Sequence, residues 1–327
     1  MKDLRAQERD LIFALDIGTR SVVGVVGRPS GGRFKALDIE VAEHGSRAML
    51  DGQIDNIHQV GILARTVTER LEERLGVHLE RVCVAAAGRA LRTQSGSFTM
   101  DISEEKVISA ETISRLEAGA LSAAEEALQV EDEVRRQFFM VGYTVAQYRL
   151  DNYPLSSLLD HNGQKAEADV VATFLPGEVV ESLYAAMRTA DLQVSSLTLE
   201  PIAAMNAAIP AELRLLNLAL VDIGAGTTDI AVCRDGSVIG YTMATIAGDE
   251  ITEAIMRTFL VDFQTAEEMK RNLRPGEDAH YTDILGLENT AAFEEIHAAI
   301  QEPMGRLAEA IAVQVSELNN GAPSALF

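Results

Sequence analysis

Apolar and polar positions along this chain fall into two stretches that begin alike. From Leu11 an apolar run, LIFAL, meets Asp16, Ile17 and Gly18, and a second apolar run, SVVGVVG, follows at once. This reads as strand, tight turn, strand over residues 11–28. GRPSGGR then gives a turn, and FKALDIEVAEH a third strand. Val60, Leu63, Val67, Leu71 and Leu75 recur at spacings of three and four, one face of a helix between His58 and Leu75. RVCVAAAG follows as a short buried strand. At Leu218 the opening pattern returns: LALVDIGAGTTDIAVC is strand, turn, strand, RDGS a turn, and VIGYTMATIAG a third strand. DEITEAIMRTFL and TAEEMKRNL read as helices, and RPGEDAHYTD as a polar loop. A long helical region from Ala291 to Leu318 should break or bend near Pro303.

The intervening residues follow another pattern. GSFTMDIS leads to a helix near Ser109–Leu128, with Ser109 as N-cap. QFFMVGYTVAQYRLD is strand-like, and NYPLSSLLDHNGQKAE reads as a loop broken by Pro154 and Gly163. ADVVATFL returns to strand, Pro176-Gly177 opens a helix through Ala190, VSSLTL is a strand, and EPIAAMNAAI begins another helix. The opening motif thus recurs 206 residues on, from Asp16 to Asp222. That period is too long for a solenoid and suits a duplicated domain. The expected class is α/β: a first half at 1–94 and 166–208, an inserted small α+β subdomain at 95–165, and a second half at 209–327.

Composition narrows the functions. The chain has 327 residues, 47% of them apolar, enough for more than one core. A net charge of -22 repels nucleic acid and anionic lipid, so no nucleic-acid partner is expected. Cys83 and Cys233 lie in apolar strand-like runs and read as buried free thiols, and the six histidines are scattered. The N-terminal MKDLRAQERD lacks the apolar core of a signal peptide, and no stretch is apolar enough to span a bilayer. These readings place the chain in the cytoplasm.

Chemistry concentrates in the two hairpins. A glycine after a strand-end acid lets the backbone turn with positive φ, and successive N–H groups then form an anion nest. Thr19 and Ser21, with Thr227 and Thr228, add small donors. Asp16 and Asp222 would sit at the rim, where like charge repels phosphate unless Mg2+ lies between, keeping most of its waters. Two such hairpins facing each other would grip the terminal phosphates of a nucleotide from both sides. Other candidates have plainer readings. Glu200 before Pro201 suits a helix N-terminus, Glu267 and Lys270 a solvated i, i+3 pair, and Asp229 a turn cap. EEALQVEDEVRR reads as a solvated acidic face, and Tyr143, Tyr148 and Tyr153 as packing within the insertion.

The paired motifs resemble the actin-like ATPase superfamily, which includes actin, the heat-shock chaperone ATPase domains, MreB, PilM and FtsA. Asp16-Ile17-Gly18-Thr19 matches the first phosphate motif and Asp222-Ile223-Gly224-Ala225-Gly226-Thr227-Thr228-Asp229 the second. LTLEPIAAMNA resembles the helix connecting the halves, with Glu200 where the attacking water is oriented. AGDEITEAI resembles a glycine-rich turn, with Ala247 in place of its first glycine, and EEIHAAIQEPMGRLAEAI a second connecting helix. AEEMKR is similar to the helix that contacts adenosine. Within the superfamily the chain is similar to FtsA, whose own small subdomain, called 1C, falls where this insertion lies. PilM shares that insertion; actin, MreB and the chaperones carry their extra subdomain elsewhere.

The resemblance implies duplicated ribonuclease H-like halves that bind ATP and Mg2+. Asp16, Glu200 and Asp222 take catalytic positions, and Asp16 and Asp222 stand nearest the metal. Gly18, Thr19, Arg20, Gly224, Gly226, Thr227, Thr228, Gly248, Glu267, Lys270 and Arg271 surround the nucleotide. For Arg20 two readings stay open: it points to solvent, or it adds positive charge near the cleft. The implied reaction is slow phosphoryl transfer to water, with Glu200 or Asp16 holding the water in line. The implied role is a bacterial division or cytoskeletal protein that self-associates and links FtsZ, a tubulin-like ring protein, to the inner face of the membrane. A PilM-like pilus scaffold and a small-molecule kinase of the same superfold are the alternatives. NNGAPSALF reads as a loop entering a strand. Such proteins continue into an adenine-packing glycine-rich loop and a membrane-binding helix, so the chain reads as a fragment that binds nucleotide weakly or not at all.

Overall fold

The computed structural model describes residues 11–45, 48–50, 52–86, 91–104, 107–131, 137–210 and 212–327. The N-terminal segment read for a leader and the Asp132–Arg136 end of the acidic face lie outside them.

The first sheet forms because β1 (Ile12–Ile17), β2 (Ser21–Ser30) and β3 (Arg33–Glu43) pair antiparallel as consecutive hairpins. β2 runs through Ser30, so the turn contracts to Gly31-Gly32, both with positive φ, rather than spanning GRPSGGR. A two-residue connection of that kind needs glycine. After the short β4 (Met49–Leu50) and β5 (Gln53–Ile54) comes α1 (Ile57–Leu75), capped by the Asn56 side chain at its start and by left-handed Gly76 at its end. Its stripe of Val60, Ala64, Val67 and Leu71 is fully buried. β6 (Arg81–Ala86) then pairs parallel to β1, and β11 (Gln193–Leu199) parallel to β6. The order is β11-β6-β1-β2-β3.

Between β6 and β11 the chain builds a second unit. β7 (Arg92–Asp101), β8 (Phe138–Leu150), β9 (Tyr153–Leu155) and β10 (Lys165–Pro176) form an antiparallel sheet, ordered β7-β10-β8-β9. α2 (Ala110–Glu131) packs on it, and Ser109 Oγ accepts the Thr112 N–H at its start. Gly96 permits this contact, since a Cβ there would lie 2.0 Å from the Ala120 carbonyl oxygen. Tyr143 and Tyr148 both donate to Glu117 of α2, as packing groups should. Tyr153 is 74% exposed, which corrects its reading as a packing group. The stretch read as one loop contains β9, because Tyr153–Leu155 finds a ladder partner in Tyr148–Leu150. α3 (Gly177–Thr189) then returns to α1, and the two helices meet at Gly61, where a Cβ would stand 2.5 Å from Thr189.

α4 (Glu200–Ala208) leads into the second repeat. β12 (Leu218–Ile223), β13 (Thr228–Arg234) and β14 (Ser237–Ala244) repeat the antiparallel meander, and β17 (Ala325–Leu326) joins parallel to β12. The order β14-β13-β12-β17 reproduces β3-β2-β1-β6. α5 (Gly248–Phe259) and α6 (Phe263–Asn272) follow, then a hairpin of β15 (Ala279–Thr282) and β16 (Glu288–Ala291). That hairpin corrects the polar-loop reading of RPGEDAHYTD. Its strand partner lies beyond the Gly286 turn, and Tyr281 packs edge-on against Phe259. α7 (Phe293–Asn319) passes Pro303 without a break. Ile296 and Ile300 before the proline, and Leu307 and Val315 after it, are all buried, so packing on both sides offsets the lost hydrogen bond.

β14 also touches the inserted sheet. Ser237 Oγ donates to the Ala146 carbonyl of β8, and Thr93 Oγ1 of β7 to the Tyr241 carbonyl. The structure is therefore a mixed α/β fold in which one meander-led sheet occurs twice, with an inserted sheet and helix lying against both.

Candidate functional site

The two hairpins close by the same bond. Gly18 N–H donates to Ser21 O at 3.0 Å, and Gly224 N–H to Thr227 O at 2.9 Å. Neither glycine has positive φ, which corrects the expected left-handed turn. Glycine serves here for close approach: a Cβ would stand 3.3 Å from Ser21 O in one hairpin and 3.1 Å from Thr227 O in the other. The tips also meet. A Cβ on Gly226 would lie 2.8 Å from Thr19 Cγ2. The second hairpin is locked to α5, whose Gly248 and Asp249 N–H groups donate to Gly224 O and Ala225 O at 3.1 and 2.8 Å. Thr228 Oγ1 donates to Ile246 O, so this predicted phosphate donor braces the turn.

Behind the tips four carboxylates converge. Asp222 and Asp229 are direct ladder partners on β12 and β13, an arrangement of like charges that costs stability in a sheet. Asp229 is 5% exposed. Burial first, then the charge of Asp222, push its pKa from 3.8 to about 7, although the Thr227 side chain opposes the shift. Asp16 faces cleft water but is flanked by protein that desolvates it. Its pKa rises by that burial; a hydrogen bond from Glu200 lowers it, and Asp222 raises it again. Glu200 is raised well above the ordinary range by burial and by the charges of Asp16 and Asp229. We assign the proton of this pair to Glu200, which donates to Asp16. Glu200 Oε1 is buried with no partner, an orphaned acceptor that costs free energy unless a cation or donor reaches it.

This donor set fits a hard divalent cation, since the groups are all carboxylates and mutually repulsive. Among the described residues no three His, Cys, Asp or Glu side chains form a ready-made metal cage. Any Mg2+ would therefore share Asp16 and Asp222 with phosphate and water.

Glu267, Lys270 and Arg271 lie on α6 across the cleft. Glu267 is not a solvated partner of Lys270. The two pair at 2.6 Å with side chains only 14% and 19% exposed, and Thr252 Oγ1 donates to Glu267 at 2.7 Å. Burial alone would raise Glu267; its bonds to Lys270 and Thr252 and the charges of Lys270 and Arg20 outweigh that and hold it low. Lys270 Nζ also donates to Gly248 O at 3.0 Å. Arg271 is exposed at the rim of a cavity of about 650 Å³, which Thr19, Arg20, Gly226 and Glu267 also line. Arg20 points into this cleft rather than to solvent. His44, Asp249 and Phe263 line the same cavity. Sequence reasoning passed over all three, and only Asp249, next to Gly248 in AGDE, stood near a recognised motif.

A family model described as "Cell division protein FtsA" matches residues 219–313, from the second hairpin through most of α7. Proteins described in the same words match more of the chain. That of Pseudomonas aeruginosa is 27% identical over 267 residues, covering 81% of this chain and 61% of its own length. That of Bacillus subtilis is 25% identical over 268 residues, covering 81% and 58%. That of Escherichia coli K12 is 24% identical over 322 residues, covering 97% and 73%. The chain is similar to these FtsA proteins over most of its length.

Solved structures share the fold. One is a PilM-PilN type IV pilus biogenesis complex, with a TM-score of 0.64 and 19% identity, covering 93% of this chain and 76% of that one. Another is the ethanolamine utilization protein EutJ of Carboxydothermus hydrogenoformans, with a TM-score of 0.51 and 15% identity, covering 94% and 72%. The FtsA-like chain spans less than two thirds of the Pseudomonas and Bacillus relatives it matches. No helix among its described residues is long and apolar enough to cross a membrane.

Proposed function

We propose that this chain is the nucleotide-gripping part of an FtsA-like cell-division protein. One observation carries the reading: two equivalent hairpins meet tip to tip, and Asp16, Glu200, Asp222 and Asp229 are held together behind them. That gathering of carboxyl groups, Asp229 buried and Asp16 and Asp222 open to the cleft, is unfavourable alone and becomes useful when a cation and phosphates complete it. On this reading the halves are residues 1–94 with 166–208, and 209–327, and residues 95–165 are the inserted subdomain.

ATP would lie with its phosphates at Gly18, Thr19, Gly224, Gly226 and Thr227, and its adenosine toward Glu267, Lys270 and Arg271. Asp16 and Asp222 would hold Mg2+, which when bound neutralises charge on the phosphates. Glu200 sits at the start of α4 beside Asp16, placed to hold a water in line through a hydrogen bond. Hydrolysis would be slow and serve as a conformational switch. In the whole protein we propose self-association and linkage of a tubulin-like division protein, FtsZ, to the inner face of the membrane. The pilus-scaffold reading has only the shared fold behind it, and the small-molecule kinase reading has nothing further.

The test is binding of a fluorescent ATP analogue to this chain with and without Mg2+. Weak, saturable, Mg-dependent binding is expected, reduced at least about tenfold by Asp222→Asn. Binding that ignores both Mg2+ and Asp222→Asn would refute the site.

A further inference from the structure

Arg20 belongs to the first hairpin, yet its side chain is bound by the second half. Nη2 pairs with Asp249 at the start of α5, and Nη1 with Glu267 on α6. The guanidinium carbon also lies 5.2 Å from the centroid of the Phe263 ring, at the start of α6. The partners are partly shielded, with Arg20 23%, Asp249 28% and Glu267 14% exposed. A planar fork suits this geometry, since its two ends serve two carboxylates while its face stacks on a ring. The backbone fixes the aim of the side chain. The Arg20 carbonyl accepts the His44 N–H at 2.9 Å, and His44 Nε2 lies 3.2 Å from Gly18 O. On the far side, Thr252 and Lys270 hold Glu267.

The surroundings explain why a cation is needed. Glu43, Asp249, Glu250, Glu253, Glu267 and Glu268 all line this cavity. All but Glu43 lie on α5 and α6, so one wall is strongly acidic and attracts a cation from the hairpin that faces it. Arg20 is that cation, delivered from one wall to the other.

We propose that Arg20 is a positioning residue that clasps the two halves across the cleft, holding α5 and α6 against the first hairpin through Asp249 and Glu267. It acts through those carboxylates and stacks on Phe263. A second step rests on the nucleotide reading above: phosphate oxygens at the hairpins compete with Asp249 and Glu267 for the guanidinium, so the clasp is tightest in the empty cleft.

The clasp is tested without nucleotide, by measuring the distance between spin labels at Glu69→Cys in α1 and Glu277→Cys after α6, in a Cys83→Ser background. Both label sites are exposed, and Cys233 is buried. One narrow distribution is expected for the unaltered clasp. R20A should shift the closed-to-open ratio about tenfold and broaden the distribution. R20K should restore it only in part, because an ammonium lacks the fork. High salt should loosen the clasped protein and leave R20A unmoved. If R20A fails to fold, the D249N/E267Q variant, which keeps Arg20, decides by the same measurement. Distributions that coincide with and without the clasp residues would overturn the proposal. Mg-ATP is then added. If it saturates the protein without moving the labels, the exchange step falls and the clasp stands. If no nucleotide binds, the nucleotide reading falls, and the label result remains.

Discussion

Asp229→Asn is expected to make the ligand-free protein more stable above pH 7, by about 3–4 kcal/mol. The residue lies within the proposed site, so a gain runs against intuition, and the sign follows from its proton. The carboxyl has an ordinary pKa of 3.8 and one of about 7 in the folded chain. Between those values the folded state keeps a proton that the unfolded state has released, so stability falls as pH rises from about 4 to 7. Above pH 7 the ionised carboxylate sits buried opposite Asp222 at its full cost. Asparagine has the same shape, keeps an acceptor for the Thr227 hydroxyl and carries no charge. Urea unfolding at pH 5 and pH 8 in metal-free buffer would show the variant gaining mostly at pH 8. Asp16 and Glu200 are shifted upward too, so part of the wild-type slope should survive. A variant less stable than wild type at pH 8 would mean that Asp229 is held by something other than burial and repulsion.

Gly96→Val should be as damaging as Asp229→Asn is stabilising. Its first side-chain carbon would fall 2.0 Å from Ala120 O and 2.6 Å from Ala124 N. Both are backbone atoms of α2, so no rotamer change relieves the clash and the helix must lift from β7. The expected cost is about 3 kcal/mol or more, at the upper end of overpacking. The loss should centre on the insertion, where Ile102, Ile108, Leu116 and Leu158 form a separate core. Hydrogen exchange should show α2 and β7–β10 losing protection while β1 and β12 keep theirs. Gly31→Ala is the contrast. Nothing lies within 4 Å of its Cβ, so only the positive φ is charged, at about 1 kcal/mol. Equal effects from the two substitutions would contradict the packing described at Gly96.

What the chain disclosed before folding was mainly local. The repeated hairpin was legible because each strand pairs with its sequence neighbour, and the α1 stripe because helical spacing needs no partner. Ser109 could be read as a cap for the same reason. β15 could not, since its apolar content is small and its strand partner follows an unread turn. Gly18 and Gly224 were picked out, but for the wrong reason: contact with a carbonyl leaves no trace in sequence distinct from a positive φ. Arg20 is the clearest case. Its partner Asp249 lies 229 positions away, and nothing near Arg20 says which way it points. Asp229 was read as a cap because its burial depends on β14 and α4 together.

The contacts from β14 to the inserted sheet give the molecule a third point of support. The insertion is continuous with the first half through β6 and β10, and it leans on the second half through Ser237 and Thr93. If the halves swing about α4 while both hydrogen bonds hold, the insertion must tilt on the first half. Cleft width on one side of the molecule would then be geared to the tilt of the inserted sheet on the other, like a caliper whose jaw moves a pointer.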